Sequence, residues 1–393
     1  MKINRDVRAQ EEKMKELELY VHIPFCVKKC NYCDFLSAPA SERTYDAYVS
    51  RLLAEIGAAG LAYKTDGVTS VFIGGGTPSV LSAAQMRQLL RRLKDSFPVL
   101  PDAEITVECN PGTLDAEKLQ AYYEAGVNRL SIGLQSADEK ELRMLGRIHT
   151  FEQFVQNYEL ARKTGFKNIN VDIISAIPGQ KINDYRQTLL KVTALKPEHI
   201  SAYALIIEEG TPFYEQMRWN LLQLPSEEVD RQMYQMTKDL LRQSGYERYE
   251  ISNYARPGFE CRHNTGYWLR KNYLGIGLGA ASCIENVRFA NIADLSGYLK
   301  TDAADLPHVY AQREKLNERA QMEEFMFLGL RLMRGVSAED FQKQFSLTME
   351  SVYGEVIQKQ LNQKLIKQTK TGYCLTDYGI DISNYVMAEY LFH

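Results

Sequence analysis

A regular alternation of short apolar segments and helix-period segments, from Leu17 to about Leu205, is the feature that most constrains the fold. This alternation is typical of repeated βα units, in which each strand is followed by a helix that covers the sheet. Six strands are predicted, at Leu17–Ile23, Val68–Ile73, Ile105–Glu108, Arg129–Leu134, Ile169–Ile174 and His199–Leu205. Because strands connected in this way run parallel, we predict an α/β fold whose functional residues gather at the carboxyl ends of the strands.

Polar and glycine-rich residues recur at those predicted strand ends. The turn Gly74–Pro78 follows the second strand, Glu108 ends the third, and Asp172 lies in the fifth. Glycines in such a turn let a ligand approach the backbone, and free amides can receive a carboxylate or phosphate, although a simple tight turn needs glycines as well. Glu108 and Asp172 either bind a ligand or form structural salt bridges. Arg147 either neutralises a ligand carboxylate or is a solvated surface residue.

Three cysteines, Cys26, Cys30 and Cys33, lie directly after the first predicted strand. Three thiolates can hold three irons of a 4Fe–4S cluster and leave the fourth iron open to a small molecule. One alternative is a structural zinc site, which would need His22 as its fourth ligand, and another is a set of unrelated buried cysteines. The other four cysteines are scattered, and an odd total of seven argues against a complete disulfide framework.

Composition narrows the class of protein. The 393 residues are enough for two or more domains, and a net charge of −3 gives no basic excess for binding nucleic acid. No apolar run approaches the roughly 20 residues of a membrane span. The densely charged segment Met1–Glu18 has no apolar stretch of the kind found in signal peptides. We therefore expect a cytoplasmic protein that does not bind nucleic acid.

The segment Tyr20–Cys26, together with Cys30, Tyr32 and Cys33, resembles the cluster loop of the radical S-adenosylmethionine family. Within that family, the chain is most similar to the subgroup of oxygen-independent coproporphyrinogen III oxidase-like proteins. The resemblance implies a partial (β/α)6 barrel, a 4Fe–4S cluster on the three cysteines, and S-adenosylmethionine at the open iron. The residues that it implies around S-adenosylmethionine are Tyr20, Tyr32, Gly75, Gly76, Thr77, Glu108, Gln135, Arg147 and Asp172. The chain departs from the family at Ala176, where glycine is usual.

The subgroup contains both decarboxylating oxidases and heme chaperones. The oxidases have a fourth cysteine where this chain has Phe35, and a longer arm than the 25 residues that precede Cys26 here. The segment 263–268, His-Asn-Thr-Gly-Tyr-Trp, is similar to the heme-binding motif of the chaperones. His263 is then the expected heme ligand, and Tyr267 and Trp268 are expected to offer the porphyrin a flat apolar surface. The alternative for this segment is a structural histidine beside core aromatic residues.

The resemblance therefore favours a heme chaperone that binds heme and transfers it to an acceptor protein. The alternative is a radical enzyme that oxidatively decarboxylates the propionates of coproporphyrinogen III. Docking on a membrane surface and homodimer formation are compatible with a chaperone. The expected organisation is a charged leader (1–16), the partial barrel (17–210), a barrel extension with the heme-binding segment (211–300) and a mostly helical, winged-helix-like C-terminal domain (301–393).

Overall fold

The computed structural model describes residues 15–64, 66–302 and 306–392. Six parallel strands pair in chain order at the centre of one sheet. They are β1 (Glu16–Ile23), β2 (Gly67–Gly75), β3 (Val99–Cys109), β4 (Arg129–Gln135), β5 (Ile169–Ser175) and β6 (His199–Ala204). All six predicted strands are therefore confirmed. The predicted leader, residues 1–16, lies outside the described residues except for its last two.

Helices follow the first five of these strands and cover the sheet. They are α1 (Glu42–Ala62), α2 (Ala83–Ser96), α3 (Ala116–Glu124), α4 (Glu139–Met144), α5 (Phe151–Thr164) and α6 (Ile182–Ala194). Capping boxes begin two of them: Ser82 with Gln85 begins α2, and Thr150 with Gln153 begins α5. Each box satisfies two amides that have no partner within the helix. Every residue of β4 is buried, as expected for a parallel strand enclosed on both faces.

The sheet continues beyond the six central strands at both edges. Two short antiparallel strands, β7 (Glu247–Arg248) and β8 (Asn253–Ala255), lie beyond β6. Beyond β1 lie the parallel β9 (Tyr273–Ile276) and then β10 (Ala281–Ile284), β11 (Val287–Asn291) and β12 (Tyr310–Lys315). The strand order places β12 and β7 at opposite edges, so the barrel formed by the described residues is partial. The helices of this region are α7 (Pro212–Arg218), α8 (Glu227–Gln243), α9 (Arg262–Trp268), α10 (Leu295–Lys300) and α11 (Leu306–Val309).

The C-terminal region is mostly helical and has its own apolar core, which includes Met326, Phe341 and Tyr390. Its elements are α12 (Glu318–Gly329), β13 (Val336–Ser337), α13 (Ala338–Phe345), α14 (Met349–Asn362), β14 (Ile366–Gln368), β15 (Gly372–Leu375), α15 (Asp377–Asp381) and α16 (Ser383–Ala388). Three helices, α12 to α14, precede the hairpin of β14 and β15, so the expectation of a mostly helical region is confirmed. No helix in the described ranges is both long and apolar enough to cross a bilayer.

Candidate functional site

Two adjoining cavities occupy the carboxyl ends of β1–β6 and the interior of the partial barrel. The outer one, the cysteine pocket, has a volume of about 120 Å³ and is lined by Cys26, Cys30 and Cys33. The inner cavity has a volume of about 450 Å³, and Tyr20 and His263 are among its lining residues. The wall shared by the two cavities is formed by Phe35, Gly75, Glu108, Ser131 and Asp172. A ligand in one cavity would therefore lie next to a ligand in the other.

The three cysteines lie on the loop after β1, which is fastened to the glycine-rich turn after β2. The amide of Thr77 donates to the carbonyl of Phe25 at 2.7 Å, and its hydroxyl donates to the sulfur of Cys26 at 3.3 Å. The guanidinium of Arg147 donates to the sulfur of Cys30 at 3.6 Å. All three thiols are free. Three cysteines on one loop that line one pocket, with side-chain donors at two of the sulfurs, form a donor set that fits a cluster held by three cysteines.

A zinc site completed by His22 finds no support in the geometry. His22 lines the inner cavity and is not among the residues that line the cysteine pocket. Its Nδ1 is 2.9 Å from the Tyr20 hydroxyl, and its Nε2 is 2.9 Å from the Leu36 carbonyl oxygen. In the described part of the chain, no three His, Cys, Asp or Glu side chains are grouped to hold a metal ion. A 4Fe–4S cluster places each cysteine on a different iron, so the three sulfurs need not converge on one point.

The glycine-rich turn connects the cysteine loop with Glu108. Gly75 has a φ of +110°, and a Cβ there would lie 2.4 Å from the His22 ring, so only glycine fits. The Gly75 amide donates to the Glu108 carboxylate at 3.0 Å, and the Gly76 amide donates to the Ile23 carbonyl at 2.9 Å. Together with the Thr77 amide described above, all three amides are engaged. Of the two alternatives for the turn Gly74–Pro78, the engaged amides favour a tight turn that is held against its neighbours.

Two carboxyl groups, those of Glu108 and Asp172, face the shared wall of the cavities. Desolvation, followed by the nearby Asp172, raises the pKa of Glu108 to about 8. Desolvation also raises the pKa of Asp172, although Asn170 and Ser131 donate hydrogen bonds to it at 2.8 and 3.2 Å. Neither carboxyl has an ion-pair partner among the described residues. The pair can therefore accept hydrogen bonds from amine or hydroxyl groups of a ligand.

The opposite side of the cysteine pocket is held by Arg147 and Asn110. One Arg147 nitrogen donates to the Gly133 carbonyl at 2.6 Å and to the Asn110 side-chain oxygen at 2.8 Å. Asn110 in turn donates to the Thr77 hydroxyl at 2.8 Å, which connects three strand ends. Gln135 lies beside them with a φ of 72°, a left-handed conformation that costs a non-glycine residue free energy and is often found at functional sites.

Left-handed backbone also occurs at the end of β5. Ala176 has a φ of 59° and is 8% exposed. This is the position at which the chain departs from the glycine of its family, and the conformation explains why glycine is usual there.

His263 projects from α9 into the inner cavity and is 1% exposed. Its Nδ1 is 2.8 Å from the Ser70 hydroxyl, its Nε2 is 3.0 Å from the Tyr267 hydroxyl, and its ring stacks on Phe72. Burial, and then the charge of Arg129, lower the pKa of His263 to about 3, so the imidazole is neutral at physiological pH. A neutral imidazole is the form that binds a metal.

The position of α9 is set by a carboxylate from β3. Glu104 accepts hydrogen bonds from the amides of Arg262 and His263 at 3.1 and 3.2 Å, and from the thiol of Cys261. A carboxylate at the first amides of a helix satisfies donors that have no partner within the helix.

Tyr267 and Trp268 do not form one surface, which corrects the expectation from the sequence. Tyr267 lines the inner cavity with His263. Trp268 instead lines a separate pocket beside α12 and α13, and the Arg331 guanidinium lies 4.3 Å from the centre of its ring. The physical reason is that consecutive residues of a helix point in different directions.

Every predicted site residue except Trp268 lines one of the two cavities. The cysteine pocket is lined by Cys26, Cys30, Tyr32, Cys33, Gly75, Gly76, Thr77, Glu108, Gln135, Arg147 and Asp172. Tyr20 and His263 line the inner cavity. Among the residues of the site that sequence reasoning missed are Ser70, Phe72, Asn110 and Arg129. The first two and Arg129 lie on inward-facing strand positions, which the alternation of side chains along a strand could have identified.

Known families match two parts of this chain. Residues 20–192 match the Radical SAM superfamily, and residues 316–382 match the HemN C-terminal domain. Among relatives, the heme chaperone HemW of Lactococcus lactis is 38% identical over 372 residues, which cover 95% of this chain and 96% of the relative. The heme chaperone HemW of Bacillus subtilis is 34% identical over 376 residues, which cover 95% of this chain and 98% of the relative.

A solved structure shares the fold over nearly the whole chain. The coproporphyrinogen III oxidase HemN from Escherichia coli, described as a radical SAM enzyme, matches with a TM-score of 0.83. The match covers 96% of this chain and 90% of that chain at 24% sequence identity. At that identity the likeness shows the fold, and the partial barrel predicted from the sequence agrees with it.

Proposed function

This chain belongs to the HemW family of the radical SAM superfamily, and on that premise we propose that it is a heme chaperone, which binds heme and passes it to an acceptor protein. The observation that carries the proposal is the neutral, buried His263 at the inner cavity. A cavity of about 450 Å³ is within the usual range for pockets that bind small molecules.

The hydrogen bonds of His263 indicate which nitrogen binds iron. A metal-binding histidine usually donates its other ring N–H to a neighbouring acceptor, which fixes the tautomer and orientation. The Ser70 hydroxyl, 2.8 Å from Nδ1, is such an acceptor. Nε2 would then be the nitrogen that binds heme iron, and heme binding would displace the Tyr267 hydroxyl from it.

We assign the cysteine pocket to a 4Fe–4S cluster and S-adenosylmethionine. Cys26, Cys30 and Cys33 would hold the cluster, which supplies redox chemistry and an open coordination position when bound. Glu108 and Asp172 would accept hydrogen bonds from the amine or hydroxyl groups of S-adenosylmethionine. The remaining residues assigned to this ligand are Tyr20, Tyr32, Gly75, Gly76, Thr77, Gln135 and Arg147.

A second candidate function is oxidative decarboxylation of coproporphyrinogen III. The common wall of the two cavities favours it, because a tetrapyrrole in the inner cavity would lie beside S-adenosylmethionine. Phe35 argues against it. This side chain, 59% exposed at the shared wall, occupies the position of the fourth cysteine of the oxidases.

One anaerobic experiment separates the two functions. The reconstituted protein is incubated with coproporphyrinogen III, a reductant and S-adenosylmethionine, and in parallel with heme. A chaperone binds heme at about one per chain and forms no protoporphyrinogen beyond background. Protoporphyrinogen formation at more than one turnover per chain would overturn the proposal in favour of the oxidase.

We further propose that the protein is cytoplasmic, docks on a membrane surface, forms a homodimer and is organised in regions 17–210, 211–300 and 301–393.

A further inference from the structure

Arg129, the first residue of β4, is a buried cation on the wall of the inner cavity. Its side chain is 2% exposed and lines the cavity together with Ser131, Asn170 and His263. Its Nε has no hydrogen-bond partner, and no carboxylate of the described residues forms an ion pair with it. Burying a charge without such partners costs much free energy, so an unpaired buried guanidinium requires a separate explanation.

The acidic residues around Arg129 are already engaged. The Glu104 carboxylate caps α9, and the Asp172 carboxylate accepts hydrogen bonds from Ser131 and Asn170. Desolvation lowers the pKa of Arg129, but attraction to Cys261, Glu104, Tyr249 and Asp172 outweighs it and raises the pKa, so the side chain stays charged. These groups stabilise the charge of Arg129, but among the described residues no carboxylate accepts a hydrogen bond from its guanidinium, whose N–H groups form a fork. A carboxylate would complete this fork, because it can accept two parallel N–H bonds from one arginine.

We propose that Arg129 binds a carboxylate of the molecule in the inner cavity, so that this cavity selects porphyrins with free propionates. The inference rests on the proposed function, because it takes the occupant to be a tetrapyrrole. S-adenosylmethionine also has a carboxylate, but Arg129 is not among the lining residues of the cysteine pocket, where Arg147 lies. The propionate is therefore the source that the position of Arg129 favours.

The test uses metal-free protoporphyrin IX and its dimethyl ester, whose binding does not involve ligation of iron by His263. Both are titrated against the reconstituted wild-type protein and the Arg129→Gln variant, with porphyrin fluorescence as the readout. We expect the wild type to prefer the free acid by roughly 10- to 100-fold, as for charge-assisted hydrogen bonds. Arg129→Gln should lose this preference while it binds the ester as the wild type does. Arg143→Gln, an exposed arginine on α4, is the matched control.

Two further variants keep the result decisive. If Arg129→Gln does not fold, as judged by its iron content, Arg129→Lys replaces it and should lose most of the preference, because a lysine cannot bind a carboxylate in the forked geometry. His263→Ala should keep the preference, so a failure of heme ligation is distinguishable from a failure of this inference. Equal affinity of the wild type for acid and ester overturns it. An Arg129 variant that keeps the preference but loses S-adenosylmethionine binding also overturns it, and assigns the carboxylate to S-adenosylmethionine.

Discussion

The cysteine pocket and the inner cavity, which form the two ends of one joined space, are built differently. At the cysteine pocket, a loop motif and residues from several strand ends face one space, and Thr77 and Arg147 connect them to the sulfurs. At the other end, a single short helix carries the motif, and its residues divide between two spaces. His263 and Tyr267 face the inner cavity, whereas Trp268 faces α12 and α13. The side chains of a motif on a loop can all face one ligand. Those of a motif on a helix point in different directions because of the helical period.

This difference predicts that the two ends can be disabled separately. The cysteine loop is fastened to β2 through Thr77, whereas α9 is positioned by Glu104 of β3 and by Ser70 of β2. A substitution that leaves the shared wall intact should therefore change binding mainly at its own end, because different side chains hold the two motifs in place.

The largest expected effect is the loss of the cluster in Cys30→Ala. Two remaining thiolates cannot hold a site-differentiated 4Fe–4S cluster, so iron content and visible iron–sulfur absorbance should fall to background. Cys283→Ala, which changes a half-buried cysteine on β10 outside both cavities, is the matched control and should keep full iron content. Wild-type iron content in Cys30→Ala would contradict the assignment.

The next largest effect is expected for Arg147→Gln. Loss of the positive charge and of the hydrogen bonds that hold Cys30, Asn110 and Gly133 together should weaken S-adenosylmethionine binding by about tenfold or more, measured calorimetrically on the reconstituted protein. Heme affinity should not change, since Arg147 does not line the inner cavity. Arg143→Gln serves as control. A parallel loss of heme affinity would show that the two ends are coupled.

A smaller effect, with the opposite sign, is expected for Tyr267→Phe. The Tyr267 hydroxyl occupies the Nε2 of His263 at 3.0 Å, and heme must displace it. Removing this hydrogen bond should strengthen heme binding by roughly two- to tenfold in a spectroscopic titration. Weaker binding would mean that the hydroxyl contacts the bound heme instead.

The smallest effect on heme is expected for Trp268→Leu. Because Trp268 lies beneath Arg331 and outside the inner cavity, heme affinity should stay at the wild-type value. The lost cation–π contact should instead lower the free energy of unfolding by about 1–2 kcal/mol, measured with denaturant on the cluster-free protein. A large loss of heme affinity would restore Trp268 as part of the heme site.

Features of the molecule that depend on local sequence could be predicted, and these include the cysteine loop but not the arrangement around α9. The strands, the capping boxes and the cysteine loop depend on local patterns, and the structure contains all of them. Because parallel strands end at one edge, the convergence of residues such as Glu108 and Asp172 was also predictable.

Features that depend on packing between distant segments were not predictable. The direction of each side chain on α9 depends on Glu104, which lies on β3 far earlier in the chain. The alternation along β4 could show that Arg129 faces inward, but its burial depends on the closure of the cavity around it, which the sequence alone does not show. The Gly75 amide likewise donates to Glu108 on β3, and this hydrogen bond could not be predicted without the position of Glu108.

The most direct test of the account is a heme titration of the anaerobically reconstituted protein beside His263→Ala and His149→Ala. His149 is also a buried histidine, 4% exposed, and it lies outside the inner cavity. We predict a saturable shift in heme absorbance at about one heme per chain, weakened by roughly tenfold or more in His263→Ala and unchanged in His149→Ala, with equal iron–sulfur content. Wild-type heme binding by His263→Ala, or no saturable binding by the wild type, would contradict the account.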